Sequence, residues 1–503
     1  MNNRFNLVDE PWIPINDHPR ISLRELFRTP GLKSVYGNAI QKLALLKLFL
    51  AIAQRAYTPS DDQDWQVLGS LGLASKCLEY LEANKGLFWL YGEKPFLQKP
   101  DLAEKKTIKG KPIPISVLGR DYMPDLPSEN DSILFESQQE QTLSDAEKAV
   151  FIVTLMNYSL GGKRVAKDVA SWTEGYSGKT TSAKGAPSIG NYEGYLNSHI
   201  LGESILDTVW LNLFTKTQLE KYPYWKQDML IPPWEEMPAG EDDRVARRLK
   251  KSFMSTLCAL SRFVLLKDGG IIYVEGLQYP SHKDGWREPF MTYTTEGKIL
   301  WCNPSKKPWR NLTALLSTSF NGSNSSFDCP QISLFLLRAR KARDTIGIWS
   351  GGLKVRATAG DMSVKQTDDY IDTELFLKTK DLGEPWFASL ENEMLGLDQL
   401  SKSLWSSMNR YYEDLGSKRS PIINKAQEMF WELCERHAQM LVFLCDDQHK
   451  MQTLRCTFAG YANQAYNKYC PNDSSRQMIA WARHTPYTFN YISYNSKEVP
   501  IAK

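Results

Sequence analysis

The sequence has few of the features that mark membrane, secreted or disulfide-bonded proteins. No window of its 503 residues reaches the roughly 18 apolar residues of a transmembrane helix, since Lys47 interrupts the best candidate, 43–53. The N-terminus lacks the apolar core of a signal peptide, so we expect a cytoplasmic protein with no membrane association. Its eight cysteines include no C-x-x-C pair, which argues against a disulfide framework or a zinc ribbon.

An excess of charge of one sign is also missing. The chain has 61 basic and 58 acidic residues, a formal net charge of +3, and 42% of its residues are hydrophobic. This composition is typical of a globular protein, and the length predicts two or three packed units. Because there is no overall basic field, any nucleic-acid partner must be bound by local groups of cations.

Residues that could form a catalytic site are sparse. None of the six histidines lies in an H-E-x-x-H pattern, and Gly178-Lys179-Thr180 has Thr173 where a phosphate loop needs glycine. The densest acidic cluster comprises Asp368, Asp369, Asp372 and Glu374. These carboxylates could bind magnesium, but a solvated linker is the simpler explanation. We therefore predict a protein that is not an enzyme, with a metal-dependent nucleic-acid-processing enzyme as the alternative.

One group of residues has the right chemistry for zinc but the wrong spacing. It comprises Cys434, His437, Cys445 and His449. Cys434 and Cys445 fall on one continuous helical pattern, which separates them by about 16 Å, too far for one tetrahedral ion. No metal or cofactor is therefore predicted.

Hydrophobic periodicity and turn residues predict an α+β fold. A hairpin or paired strand is predicted from 5–8 and 12–15, and a long exposed loop from 161–194. Helices are predicted at 39–56, 66–84, 204–214 and 244–266, together with one that begins at the capping box of Ser144 and ends at Gly161-Gly162. A small antiparallel sheet is predicted from 270–274, 290–294 and 298–302.

The pattern changes after about residue 383, where only helical stretches remain. They cover 386–415, 422–445, 451–469 and 474–491, with short polar breaks between them. Such spacing is typical of an up-and-down bundle. We therefore predict a large mixed α/β domain over 1–382 and a four-helix bundle over 383–503.

Basic residues gather beside glycine, proline and aromatic residues, a pattern that favours contact with nucleic acid. The groups are Gly161-Gly162-Lys163-Arg164 with Lys167, Lys306 to Arg310, and Gly351 to Arg356. Bare glycine backbone can approach a groove while the cations bind phosphates. The alternatives are a glycine helix cap, a solvated loop and a tight turn, respectively. The cations of 338–343 are expected on one side of a helix, where a solvated face is the simpler explanation.

Several motifs occur in a characteristic order along nearly the whole chain. They are Leu7-Val8-Asp9-Glu10-Pro11-Trp12-Ile13-Pro14, Phe88-Trp89-Leu90 leading to Pro95-Phe96-Leu97-Gln98, Gly161-Gly162, Lys307-Pro308-Trp309, Gly351-Gly352-Leu353 and the terminal helices. This order resembles the large subunit of the type I-E CRISPR surveillance complex, the CasA family of Cascade.

The resemblance implies a mixed α/β body with a C-terminal four-helix bundle and no catalytic activity. It implies recognition of a short protospacer-adjacent motif in double-stranded DNA, followed by duplex opening and R-loop formation. The implied partners are guide CRISPR RNA, target DNA and the backbone, small and guide-end subunits. The large subunit would also help to recruit a helicase-nuclease, whether it acts in trans or as a nuclease domain on another subunit.

The resemblance also assigns candidate DNA-binding residues. Gly161 and Gly162, followed by Lys163 and Arg164, match the family's glycine loop. The family's lysine finger falls near Lys267, although an ungapped match through Gly276-Leu277 puts Gly269 at its position.

A wedge that enters the duplex should follow Gly351-Gly352. Its glutamine position is occupied by Ala357, flanked by Arg356 and Thr358 and preceded by Lys354. We expect the two glycines to form a tight turn that presents these residues outward.

Two further features bear on the family resemblance: an aromatic residue and a cysteine cluster. Phe135 looks like the aromatic residue of another family loop near the 5′ end of the guide, with coverage of the core as the alternative. The cysteine cluster of some relatives is absent here, so the resemblance implies no zinc.

Overall fold

The computed structural model describes most of the chain. Its described residues are 3–106, 110–118, 143–159, 194–221, 230–240, 243–267, 269–277, 279, 287–294, 296–321, 327–354, 356–358, 361–363, 370–417 and 420–493. None of the helices in these ranges combines the length and the hydropathy needed to cross a membrane.

The chain folds as two compact units. The first contains Met1–Pro304, Phe327–Ala342 and Trp349–Thr373, and the second contains Ser305–Ser326, Arg343–Ile348 and Glu374–Lys503. The first mixes helices and strands, whereas the second is mainly helical toward the C-terminus. The α+β class is therefore confirmed. The domain division at 382/383 stays a prediction.

Helices and strands alternate irregularly along the first three-quarters of the chain. In order they are β1 (Arg4–Asn6), β2 (Ile13–Ile15), β3 (His18–Ile21), α1 (Leu23–Arg28), α2 (Ala39–Ala56), α3 (Asp62–Ala83), β4 (Trp89–Tyr91), β5 (Ser116–Val117), α4 (Asp145–Asn157), β6 (Asn197–Leu201), α5 (Ile205–Leu211), α6 (Lys216–Lys221), α7 (Arg244–Leu249), α8 (Met254–Leu257), β7 (Arg262–Lys267), β8 (Gly270–Glu275), β9 (Tyr293–Thr294), α9 (Leu312–Asn321), β10 (Phe327–Asp328), α10 (Pro330–Ser333), α11 (Leu336–Ala342), β11 (Thr345–Leu353), β12 (Arg356–Thr358), β13 (Asp361–Ser363) and β14 (Tyr370–Lys378). The remaining helices are α12 (Glu384–Asp414), α13 (Ser420–Glu435), α14 (Ala438–Leu444), α15 (Gln448–Tyr469), α16 (Ser475–Arg483) and α17 (Phe489–Ile492).

Helix α2 lies in the core of the first unit, where nearly all of its side chains are buried. It begins at a capping box in which the side chains of Asn38 and Gln41 each accept a hydrogen bond from the other's backbone N–H. Lys47, which interrupts the apolar run, is also buried, and its Nζ lies 2.9 Å from a carboxylate oxygen of Glu288. The helix therefore keeps its charged residue inside the core by pairing it.

Helix α4 confirms the predicted start at Ser144, whose side chain forms a capping box with Glu147. The helix ends at Asn157, earlier than predicted, and Tyr158 provides its last backbone donor, to Thr154. Gly161 and Gly162, which were expected to close the helix, lie outside the described residues.

The N-terminal strands pair differently from the prediction. Instead of a hairpin between 5–8 and 12–15, β1 pairs with β4 and β2 pairs with β3. The carbonyl oxygen of Leu7 accepts hydrogen bonds from Trp12 Nε1, at 2.9 Å, and from the Leu23 N–H. Because the Leu7 carbonyl is used in these bonds, it is not available for pairing with residues 12–15 in a hairpin. The opening motif therefore has a structural role.

The helix predicted over 244–266 is wrong in its second half. After the short helices α7 and α8, residues 262–267 form strand β7, which pairs antiparallel with β8 along its whole length. Both strands are buried, so β7 shows an unbroken apolar run that cannot be distinguished from a buried helix by periodicity. Strand β5 pairs with the other edge of β8.

The small sheet predicted from 270–302 is only partly confirmed. Strand β8 exists, but it pairs with β7, and of 290–294 only Tyr293 and Thr294 form a strand, paired with β10. Residues 298–302 contribute isolated bridges, including Tyr293 with Ile299. Local turns satisfy the remaining backbone groups, such as the hydrogen bond from Gly297 N to Thr294 O.

The four helical stretches predicted near the C-terminus are confirmed, although two of them are broken. Helices α12, α13 and α15 pack against one another, with α16 on α12 and α17 on α15. The stretch 422–445 breaks at His437, which caps α14. Cys434 and Cys445 therefore do not share one helix, so the distance argument made from the sequence is wrong. In the described residues no three His, Cys, Asp or Glu side chains group as metal ligands.

Candidate nucleic-acid interface

The structure describes some of the candidate DNA-binding residues. Lys267, Gly269, Gly351, Gly352 and Lys354 are described, together with the backbone of 356–358. The glycine-loop candidates and the loop aromatic lie outside the described residues. These are Gly161, Gly162, Lys163, Arg164 and Phe135.

Lys267 and Gly269 lie at the tip of the β7–β8 hairpin. Lys267 is the last residue of β7 and pairs with Gly270, so only two residues connect the strands. Gly269 is exposed and has a φ of +80°, a backbone conformation that favours glycine. A lysine at that position would be strained, and Lys267, which is partly exposed beside the turn, is the cation that this chain places at the tip.

The base of this hairpin is held by the segment around Gln98, which sequence reasoning did not assign to the site. The Gln98 side chain is buried, accepts a hydrogen bond from Leu266 N at 2.8 Å and donates one to Leu90 O at 2.8 Å. The next residue, Lys99, donates its backbone N–H to Val264 O at 2.8 Å. These bonds fix the hairpin immediately before Lys267. The motif ending in Gln98 was visible in the sequence, but its target strand was not.

Aromatic side chains of the same motif pack beneath this base. Phe88 and Phe96 stack with ring centroids 5.2 Å apart, and both contact Trp234. Trp234 donates from Nε1 to the Tyr80 hydroxyl at 2.8 Å. The segment that leads to Gln98 is therefore anchored by a packed aromatic cluster, which gives rigidity to the residues that bond the hairpin.

Gly351 and Gly352 do not form the predicted tight turn. Both are buried in strand β11, and neither has a positive φ. A Cβ on Gly351 would lie 2.8 Å from Ile371 O, and one on Gly352 would lie 2.5 Å from Tyr195 O. The glycines are therefore present because neighbouring backbone approaches closely, a requirement that resembles a turn signal in the sequence.

The candidate wedge residues follow this strand as a short ribbon. Arg356, Ala357 and Thr358 form β12, which pairs antiparallel with β13 from Arg356 with Ser363 to Thr358 with Asp361. Lys354 lies between β11 and β12 and is partly buried. The backbone thus brings these candidates to a two-stranded ribbon that extends from the buried glycines.

Several side chains contact Trp349, which lies in strand β11 shortly before the buried glycines. Trp349 donates from Nε1 to Asp372 at 3.2 Å, and Lys42 Nζ lies 2.8 Å from the same carboxylate. The ring of His199 stacks on the ring of Trp349, with the two centroids 5.0 Å apart. Asp372 therefore has a structural role, which weakens its assignment to a magnesium site. Asp368 and Asp369 lie outside the described residues.

One cation of each of the two other basic groups predicted from the sequence, Arg310 and Arg338, is packed into the protein. In the second unit, the Arg310 guanidinium lies 3.5 Å from the Trp431 ring centroid and 3.5 Å from Asp398, and burial lowers the pKa of Arg310. In the first unit, Arg338 is buried and donates to the carbonyl oxygens of Leu211 and Leu213. The expected solvated face is therefore wrong for Arg338, whereas Arg340 and Lys341 of the same helix are exposed.

We predict that Gly352→Ala lowers the free energy of unfolding by about 1–3 kcal/mol, because the added methyl group meets backbone and not a movable side chain. Chemical denaturation of the purified chain measures this loss. Gly460→Ala is the control, since nothing lies within 4 Å of its Cβ and Ala favours a helix. Equal stability of wild type and Gly352→Ala would show that the strand moves aside without cost.

Comparisons with known proteins agree with this architecture. The family model described as CRISPR-associated protein Cse1 matches residues 6–468. A curated relative from Thermus thermophilus, named CRISPR-associated protein CasA/Cse1, is 29% identical over 243 residues, which span 46% of this chain and 43% of the relative.

Solved structures extend the similarity to almost the whole chain. The crystal structure of Thermus thermophilus CasA has a TM-score of 0.69 at 17% identity, covering 97% of this chain and 99% of that one. Thermobifida fusca Cse1 has a TM-score of 0.72 at 15% identity, covering 97% of each chain. At such low sequence identities the structural matches establish the fold alone. The family assignment rests on the family model, which covers most of the sequence. The resemblance to CasA is thus confirmed, and the chain belongs to the CRISPR-associated protein Cse1 family.

Proposed function

We propose that this chain is the non-catalytic large subunit of a type I-E-like CRISPR RNA-guided surveillance complex. It recognises a short protospacer-adjacent motif in double-stranded DNA, promotes duplex opening and R-loop formation and helps to recruit the helicase-nuclease. The observation that carries the proposal is the hairpin tip of Lys267 and Gly269, held from below by Gln98. A narrow cationic tip on a rigid base suits contact with base edges and phosphates in a groove.

The proposed partners are guide CRISPR RNA, target DNA and the backbone, small and guide-end subunits of Cascade. A solved structure with the same fold, TM-score 0.56, is described as a CRISPR RNA-guided surveillance complex. In such a complex, base pairing with the guide supplies the long sequence specificity, so the protein has to read only a short duplex mark. A nuclease then arrives in trans or as a domain on another subunit.

The glycine segment and the ribbon complete the proposed interface. Gly161 and Gly162 approach the motif through bare backbone, while Lys163 and Arg164 bind phosphates. Phe135 lies near the 5′ end of the guide. These assignments rest on the family resemblance.

The ribbon acts as the wedge through Lys354, Arg356, Ala357 and Thr358. A two-stranded ribbon is narrow enough to enter between separating strands, and an arginine on it can bind a phosphate or stack on an exposed base. Support for this assignment comes from the pairing of β12 with β13 beside the buried glycines.

The metal-dependent enzyme has less support. Its acidic cluster would need several carboxylates around one ion. Asp372 is instead paired with Lys42 and bonded to Trp349. The proposed role is therefore binding without catalysis.

We predict that Lys267→Ala weakens binding to the preferred motif about tenfold, the worth of one good contact to a base or its phosphate. The assembled complex is incubated with a pool of duplexes that are randomised beside a sequence matching the guide, and bound DNA is sequenced. Lys94→Ala, which removes another exposed lysine of the same unit, should behave as wild type. If wild type enriches no motif from the pool, the proposed function is wrong.

A further inference from the structure

The outer edge of strand β7 is bonded by a side chain in place of another strand. Strand β7 lies at one end of the three-stranded sheet β5–β8–β7, and alternate residues of such a strand direct their N–H and C=O groups away from the sheet. Two of these groups are bonded by consecutive residues: Lys99 N donates to Val264 O at 2.8 Å, and Leu266 N donates to Gln98 Oε1 at 2.8 Å. Gln98 and Lys99 therefore take the place of a short fourth strand.

The bond from Gln98 lies one residue from Lys267, at the tip of the hairpin. Leu266 pairs with Ile271 of β8, and on its other side Ile271 pairs with the backbone of Ser116 in β5. One row of the sheet thus runs from the Gln98 amide through Leu266 and Ile271 to Ser116. The hairpin is therefore held from both edges in the row next to the one that contains Lys267.

The opposite end of the hairpin is fixed by bonds that do not involve Gln98. Ser261 N donates to Met156 O at 2.9 Å, and Leu277 N donates to Leu260 O at 2.9 Å. These bonds, together with the pairing of β7 with β8, would remain if the Gln98 side chain were replaced. We therefore expect the effect of Gln98 on the hairpin to be confined to its tip.

Gln98 is locked in one orientation and is not accessible to DNA. Its side chain donates from Nε2 to Leu90 O at 2.8 Å while Oε1 accepts from Leu266 N, so both ends of the amide are used by backbone groups. Gln98 is only 3% exposed. Any influence of Gln98 on DNA binding must therefore act through the residues that it supports, of which Lys267 is the nearest cation.

We propose that Gln98 is a positioning residue for motif recognition, which fixes the direction of Lys267 and thereby determines how strongly the preferred motif is distinguished from other sequences. The proposal rests on the proposed function and adds a residue that does not touch DNA. A cation that is free to turn binds any phosphate within reach, whereas a cation held in one direction favours the base edges at one position. Such preorganisation requires a supporting side chain that is itself locked by hydrogen bonds.

The test is a double-mutant cycle on the assembled complex. It measures the ratio between the affinities for a duplex with the preferred motif and for one with a scrambled motif, at a single salt concentration. Lys267→Ala and Gln98→Met should each lower this ratio, Gln98→Met by no more than the loss of about tenfold expected for Lys267→Ala. Because Gln98 acts through Lys267, the double variant should have the same ratio as Lys267→Ala alone, whereas two independent effects would multiply.

Gln54→Met is the matched control. Gln54 is another buried glutamine of the first unit, 2% exposed, and its side chain bonds both the N–H and the C=O of Phe214. Its replacement should lower the midpoint of thermal unfolding to a similar extent as Gln98→Met but should keep the wild-type affinity ratio. If Gln98→Met does not assemble, Gln98→Asn replaces it in the cycle, because the shorter amide cannot keep both bonds.

Three results would overturn the positioning role. They are a wild-type affinity ratio in Gln98→Met, a double variant whose loss is the product of the two single losses, and an equal loss of the ratio in Gln54→Met. If the wild-type complex itself does not distinguish the two duplexes, the proposed function fails, and the positioning role fails with it. A wild-type complex that distinguishes them separates the two cases, since the proposed function then stands whatever Gln98→Met does.

Discussion

Replacing Arg455 with Met is expected to lower the free energy of unfolding of the helical unit by about 3–5 kcal/mol. Arg455 on α15 donates from Nε to Glu393 on α12 at 3.1 Å, and its terminal nitrogen bonds the other carboxylate oxygen. Each side chain is only 3% exposed. Without Arg455 the Glu393 carboxylate would remain buried with no counter-charge, which costs more than the pair itself contributes.

The double variant Glu393→Leu with Arg455→Met distinguishes two free energies: the cost of burying an unpaired Glu393 carboxylate and the contribution of the ion pair itself. It should recover most of the lost stability, because apolar residues can replace a buried pair at little cost. Arg483→Ala is the control, since its pair with Asp414 is exposed and should contribute less than about 1 kcal/mol. Urea denaturation of each variant measures these differences. A loss below 1 kcal/mol for Arg455→Met would contradict the prediction.

The sequence predicted those elements whose signals are local. Ser144 identified the start of α4, and the apolar periodicity of 39–56 matched α2. Local signals failed where a partner distant in the sequence decides the structure. Strand β7 resembles a helix until β8 is paired with it, and Gly351 resembles a turn until the backbone of Ile371 is placed beside it.

The candidate site also depends on contacts between distant segments that the sequence does not reveal. Lys267 was reached only through the family resemblance, because the sequence pattern predicted a helix over 244–266 and no hairpin. The buried bonds from Gln98 that hold this tip were not predictable, since they join segments 168 residues apart. Contacts of such long range depend on the completed fold and leave no periodic pattern in the chain.

Acid is expected to destabilise the first unit through His199, a buried residue of β6. Its ring lies between Trp349 and Phe290, and its Nδ1 has no hydrogen-bond partner among the described residues. Burial lowers the pKa of His199 from 6.5 to about 3. Below about pH 6.5 the His199 side chain is therefore protonated in the unfolded chain but stays neutral in the folded chain. The free energy of unfolding consequently decreases as the pH falls from 6.5 toward 3.

His199→Phe should remove this pH dependence, because phenylalanine keeps an aromatic ring beside Trp349 and cannot be protonated. By linkage, wild type should lose about 2 kcal/mol relative to the variant between pH 8 and pH 5. Urea denaturation at several pH values measures the difference, and His199→Gln repeats the test if phenylalanine is too large. His449→Gln, at an exposed position, should retain the wild-type pH dependence. Parallel curves for wild type and both His199 variants would show that the folded protein accommodates a charged ring here.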